Sequence, residues 1–147
     1  NKLDFESKSF DLVIALDLLE HIENFHLIFD EMLRCSSKKV LISLPNPYST
    51  TLINILRNNK QNNNSSGVYE KYYGLPFEKP IDRHRWFFCV DDLVNFIDKK
   101  KKIYNWNSHL FFSSHRWNLK KRILRLLIGE RLYNNFVIPN IWVLIEK

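Results

Sequence analysis

The chain has 147 residues, 45% of them hydrophobic and 14% aromatic, which suits one globular domain and excludes an intrinsically disordered chain. No signal peptide opens it and no apolar run nears the roughly eighteen residues that span a bilayer, so a soluble, cytoplasmic protein is expected. Residues 1–98 carry 11 basic and 14 acidic side chains and residues 99–147 carry 11 and 2, which makes the first part −3 and the second +9. Such asymmetry points to an anionic partner, whether RNA, lipid head groups or a phosphorylated substrate, but speaks to association and not to chemistry.

The chain opens at Asn1 rather than Met, and its first strand is running by Phe10, so a segment upstream is expected to have been cut away. Residues 1–9 are polar apart from Leu3 and Phe5 and read as a loop. Phe10 to Leu16 is almost uninterrupted by polar residues, the pattern of a strand covered on both faces. Leu18, Leu19 and Ile22 are expected to hold the next turn against the sheet, and Asn24 to cap a helix from about Phe25 to Arg34. Ser36 to Lys39 read as the connection to a second strand, Val40 to Leu44, which Pro45 ends because it has no amide hydrogen for the ladder. The result is a right-handed βαβ unit with polar residues at the carboxyl end of its first strand, where open α/β sheets bind ligands.

Beyond Pro47 a short helical pattern, Thr51 to Arg57, gives way to a polar surface loop at residues 58–67. The block from Val68 to Phe88 is dense in aromatics, prolines and arginines, and residues 48–90 as a whole are expected to cover a substrate. Asp91 or Asp92 can start a helix through Ile97, with Lys99 to Lys102 at its negative end. Residues 103–113 read as a third strand with Trp106, Leu110 and Phe112 on its buried face, and Ile141 to Ile145 as a fourth. Between them, Leu119 to Phe136 is a basic amphipathic segment that Gly129 can interrupt: either a helix with its arginines facing water, or one facing a membrane surface or RNA. Cys35 and Cys89 have neither zinc-finger spacing nor disulfide-scaffold density and are expected to be reduced thiols.

The chemistry gathers after the first strand. If the backbone turns helical there at once, Asp17, Glu20 and His21 stand at i, i+3 and i+4 and share one face. Two carboxylates and an imidazole can hold a divalent ion, with Mg²⁺, Mn²⁺ and Zn²⁺ all admissible, or bind a substrate hydroxyl and take its proton. Alternatively, Glu20 and His21 hydrogen-bond each other and cap the turn. His26, His109 and His115 read as surface or packing histidines.

FDLVIALDLLEHI, a helix, and then KKVLISLPNP closely resemble the central segment of class I S-adenosylmethionine-dependent methyltransferases, in particular the small-molecule group that includes the ubiquinone-biosynthesis O-methyltransferases. The resemblance is good over residues 3–47, looser over 82–97 and weak beyond. It implies an α/β, Rossmann-like methyltransferase fold, here partial: strands four to seven, the last antiparallel, with the N-terminal strands missing. The family's glycine-rich cofactor loop and ribose-binding acidic residue have no counterpart, since the chain has three glycines and none in a G-x-G arrangement. An apolar central strand without its neighbour would be an exposed edge, so the sequence is expected to be the carboxyl-terminal part of a larger domain, inactive alone.

Residue by residue, the resemblance places Leu16, with Asp17, against the methionine end of S-adenosylmethionine. Some ubiquinone-pathway enzymes and small-RNA 2′-O-methyltransferases bind a divalent ion through an E-x-x-E-H turn, the RNA enzymes adding a downstream histidine. Asp17, Glu20 and His21 match that turn with aspartate in first place, and His84 is the candidate for the extra ligand. His21 or His84 would then serve as the catalytic base. The leading reading is methyl transfer to a hydroxyl oxygen of a small molecule. Its rivals are an RNA 2′-O-methyltransferase, favoured by the +9 carboxyl-terminal part and by Trp86, Trp106 and Trp117, and a non-catalytic binding module that keeps the fold.

Overall fold

The computed structural model describes residues 2–56, 84–112 and 119–147. Strand β1 (Phe10–Leu16) runs parallel to β2 (Ser36–Pro45), joined by helix α1 (Phe25–Cys35). Helix α2 (Pro47–Leu56) leaves β2; α3 (Val90–Tyr104) leads to β3 (Asn107–Phe112); α4 (Leu119–Ile128) and α5 (Glu130–Val137) precede β4 (Asn140–Glu146). The sheet order is β1-β2-β4-β3, with β4 antiparallel to both neighbours. This is the order and direction expected of strands four to seven of the methyltransferase fold.

The core follows from the alternation of side chains across strands. Val40, Ile42 and Leu44 of β2 and Ile141, Val143 and Ile145 of β4 are buried against Phe29, Met32 and Leu33 of α1 and Leu93 and Ile97 of α3. Burial of apolar surface of this kind supplies the main driving force for the fold, at roughly 25 cal/mol per Å². Lys147 fastens the sheet to α1 by donating to the Ser36 carbonyl at 2.8 Å and to that of Leu33. Among the described residues no helix is long and apolar enough to cross a membrane.

β1 departs from the two-sided burial that its apolar run predicts. Ala15 is buried and Val13 packs on the core, but Phe10, Leu12, Ile14 and Leu16 form an exposed row on the opposite face, with Ile14 and Leu16 each 51% exposed. Among the described residues β1 is the sheet edge, and no other element covers that face.

Four local expectations are corrected. β2 begins at Ser36, not Val40: the Ser36 hydroxyl donates to the Lys39 carbonyl, Lys38 pairs with Asp11 of β1 and Lys39 with Glu146 of β4, so cross-strand partners draw the connection into the sheet. Leu18 is exposed, and of Leu18, Leu19 and Ile22 only Leu19 is fully buried. Asn24 occupies the cap position of α1 without a side-chain capping bond. α3 starts at Val90, where Asp92 accepts from the Cys89 amide, but continues through the lysines to Tyr104, because lysine propagates a helix well and Lys100 reaches Asp30 of α1 at 2.7 Å. Asn105, in the left-handed region at φ 51°, ends it.

The basic segment is two helices. Gly129 at φ 80° breaks it, a conformation that costs a glycine little and other residues more. Both cysteines are free thiols; burial, the largest influence, pushes the Cys89 thiol up. The polar stretch at 58–67, most of the aromatic block after it, His115 and Trp117 lie outside the described residues.

Candidate functional site

The carboxyl end of β1 breaks into a turn whose geometry sorts the predicted site residues. Asp17 has φ 46°, in the left-handed region, so the backbone does not run helically out of the strand. A single 3₁₀ turn starts only at Leu19 and holds Glu20 and His21. Asp17 therefore does not share their face, which corrects the spacing argument. Its amide donates to the Ser43 carbonyl at 3.1 Å and to the Ser43 hydroxyl at 3.0 Å, and that hydroxyl donates back to the Asp17 carboxylate at 2.9 Å. Asp17 is thus fixed to the neighbouring strand, with Leu16 exposed beside it.

Glu20, His21 and His84 are brought together. Their ligating atoms lie within 4.8 Å of one another, and the two imidazole rings sit edge to face with centroids 4.3 Å apart. Glu20 is 1% exposed, an unusual place for a carboxylate, and its Oε1 lies 3.6 Å from His21 Nε2. His84 arrives from a remote part of the chain because the irregular segment after it is laced to the turn. The Arg85 amide donates to the Glu20 carbonyl at 2.8 Å, and the Trp86 indole to the Ile22 carbonyl at 2.7 Å. Outside these, Arg85 pairs with Glu23 at 2.9 Å. Trp86 in turn rests against Phe25 and His26 of α1, and Phe25 meets Phe96 of α3 edge to face.

Two donors on one ion, at roughly 2.1 Å each, stand no more than about 4.2 Å apart, so three donors within 4.8 Å of one another would hold a divalent ion only after closing in by some tenths of an ångström. With Glu20 buried and the two histidines half-buried, the same atoms can also accept a proton. The site opens where α/β folds bind ligands, outside the carboxyl ends of parallel strands. On its other side, Asn46 at the end of β2 is fully buried and spends its side-chain amide on backbone carbonyls of α5. Ser43 and Trp86 were not foreseen as positioning residues. A serine within an apolar strand and a tryptophan two residues after a candidate ligand are the only signals the chain offers for them.

Residues 1–43 match the family described as the methyltransferase domain. The fold is that of class I S-adenosylmethionine-dependent methyltransferases. The resemblance therefore holds both in sequence, over residues 1–43, and in architecture. Among solved structures, the small RNA methyltransferase HEN1 superposes with a TM-score of 0.58 at 15% identity, covering 98% of this chain and 15% of that one. A SAM-dependent methyltransferase from Archaeoglobus fulgidus superposes with a TM-score of 0.51 at 14% identity, covering 97% of this chain and 62% of that one. The chain thus spans less than two thirds of either methyltransferase. No curated protein sequence matches it significantly. These matches do not single out the ubiquinone-biosynthesis group.

Proposed function

We propose that the chain carries the acceptor side of an S-adenosylmethionine-dependent methyltransferase acting on a hydroxyl oxygen of a small molecule, with Glu20, His21 and His84 holding a divalent cation. The observation that carries this reading is the convergence of those three side chains at the carboxyl end of β1. S-adenosylmethionine would lie along Leu16 and Asp17 and supply an electrophilic methyl group. The exposed Leu16 side chain offers it an apolar wall, and Ser43 keeps the Asp17 backbone from drifting.

The cation would bind the acceptor oxygen and lower its pKa. Two imidazoles and one carboxylate weigh towards Mn²⁺ or Zn²⁺ over Mg²⁺. Without the cation, His21 or His84 would instead take the hydroxyl proton as the oxygen–carbon bond forms and the carbon–sulfur bond of the sulfonium breaks, releasing S-adenosylhomocysteine. Most of the rate would come from placing the oxygen in line with the methyl carbon, and the fixed turn and the segment laced to it serve that placement. Asp17, held by Ser43, belongs to the cofactor side and not to the ligand set.

A second reading has a specific observation behind it. His84 completes the turn as the downstream histidine does in the RNA 2′-O-methyltransferases that the sequence resembles, and HEN1 shares the fold. The acceptor would then be a ribose 2′-hydroxyl, with binding that weakens steeply as salt rises.

The test uses the full-length protein purified with its native metal. Metal content measured by mass spectrometry should be near one ion per chain and fall towards zero in Glu20→Gln with His84→Ala. Chelation should lower methyl transfer, and restored metal should recover it. Turnover indifferent to the chelator, in protein shown to be metal-free, would remove the cation from the mechanism. Methylation of a small hydroxylated acceptor that is insensitive to salt would separate the first reading from the second.

A further inference from the structure

The segment between β3 and β4 presents its apolar residues to solvent. α4 buries no residue at all: Leu126 is 84% exposed, Leu127 77% and Leu119 70%, with Ile123 half exposed beside them. At 3.6 residues per turn these four positions fall on one strip, at i, i+4, i+7 and i+8. The half-buried positions of α4 are Lys121, Arg125 and Ile128, so two of the helix's cations lean towards the rest of the molecule while its leucines look outward. This is the reverse of a water-soluble surface helix. Lys120 and Arg122 flank the apolar strip on either side, where long cationic side chains can reach up to a polar layer while the leucines sink below it.

We propose that α4 forms an interfacial segment that seats on the anionic surface of a lipid bilayer. The inference is independent of the acceptor assigned above. Charge complementarity selects the occupant. Lys120 and Arg122 border the strip and α4 has no acidic residue, so a second copy docked on the same strip would place like charges together, whereas anionic head groups neutralise them. RNA would satisfy the cations but leave the exposed leucines in water. Only a surface with an apolar interior and an anionic boundary satisfies both halves of the helix.

The segment also stands at the same end of the sheet as the candidate site. β4 is antiparallel to β2, with Asn140 opposite Pro45, and the Asn46 amide donates to the Pro139 carbonyl at 2.6 Å. The excursion from Phe112 to Asn140 therefore leaves from and returns to the carboxyl ends of β1 and β2. A lipid-seated α4 would set the mouth of the site near the bilayer, a position that favours an amphiphilic acceptor.

The test is flotation of the full-length protein with vesicles of phosphatidylcholine and phosphatidylglycerol, compared with vesicles of phosphatidylcholine alone. The wild type should float with the anionic vesicles. Leu126→Gln with Leu127→Gln should weaken partitioning by at least about tenfold, since each exposed leucine would lose its apolar burial, while the urea midpoint stays unchanged. Lys120→Gln and Arg122→Gln should each weaken it about fivefold and erase the preference for anionic lipid. A protein that stays in the soluble fraction overturns the proposal. So does flotation unaffected by the leucine pair, or a dimer on gel filtration that the leucine pair dissolves without any vesicle binding.

Discussion

The Trp86 indole donates a hydrogen bond to the Ile22 carbonyl across 64 residues of sequence, at 2.7 Å. This bond, with that of the preceding residue's amide (Arg85) to the Glu20 carbonyl, sets the distance between His84 and the turn. Trp86→Phe keeps the aromatic contact with Phe25 but removes the donor. It is expected to cost about 1 kcal/mol of stability and to weaken Mn²⁺ or Zn²⁺ binding by about tenfold, read by calorimetry on metal-depleted protein. Metal affinity equal to that of the wild type would show that His84 finds its place without the lacing.

Glu31 gives the chain an acid-sensitive element. The Arg34 guanidinium, donating from Nε and Nη2 at 2.8 Å each, holds the Glu31 carboxyl down from its ordinary 4.5 to about 2. Because the folded value lies below the unfolded one, the stabilisation is fully present above about pH 4.5 and is lost as pH falls through about 2. Denaturation followed across that window should show a steeper loss in the wild type than in Glu31→Gln. Coincident acid limbs would place the sensitivity elsewhere.

Asn46 is the buried polar residue whose loss should cost most. Its side-chain amide donates to the carbonyls of Asn135 and Ile138 at 2.8 Å and of Asn134 at 3.3 Å. Asn46→Ala removes the donor from several buried carbonyls and is expected to destabilise by ~3 kcal/mol, measured as a shift of the urea midpoint at constant slope. Asn46→Asp, which faces the same carbonyls with a negative charge, should be worse. A smaller effect for the aspartate than for the alanine would mean that the carbonyls find other donors.

The exposed row on β1 should govern the solubility of the isolated chain. Ile14→Lys puts a charge in the middle of Phe10, Leu12, Ile14 and Leu16 without removing a core contact. Stability should stay within about 0.5 kcal/mol, while light scattering on concentration should fall clearly below that of the wild type. Equal scattering from the two would assign self-association to another surface.

The order of the elements was legible from local patterns, because each strand and helix carries its own period. FDLVIAL, VLISL and IWVLI announce strands wherever they stand, and Phe29, Met32 and Leu33 announce the inward stripe of α1. The limits were less so, for physical reasons that can be named. Ser36 to Lys39 look like a loop in isolation, and only Asp11 and Glu146 on adjoining strands make them strand. Lys99 to Lys102 look like a terminus, yet a partner in Asp30 on another helix lets them continue the turn. In the site, Glu20 and His21 could be paired by spacing, but Asp17 could not be separated from them without knowing that its backbone turns left-handed. His84 could be named only through the family resemblance, and the bonds that bring it to Glu20 span too much chain for any local pattern to show.

The carbonyls that Asn46 gathers belong to the end of α5, while the peptide bond before it ends β2, two residues beyond the serine that grips Asp17. The outer helices and the floor of the candidate site therefore cannot change posture separately. Were α4 to seat on a lipid surface as proposed, its tilt would be passed through Asn46 to the end of β2, beside the candidate site.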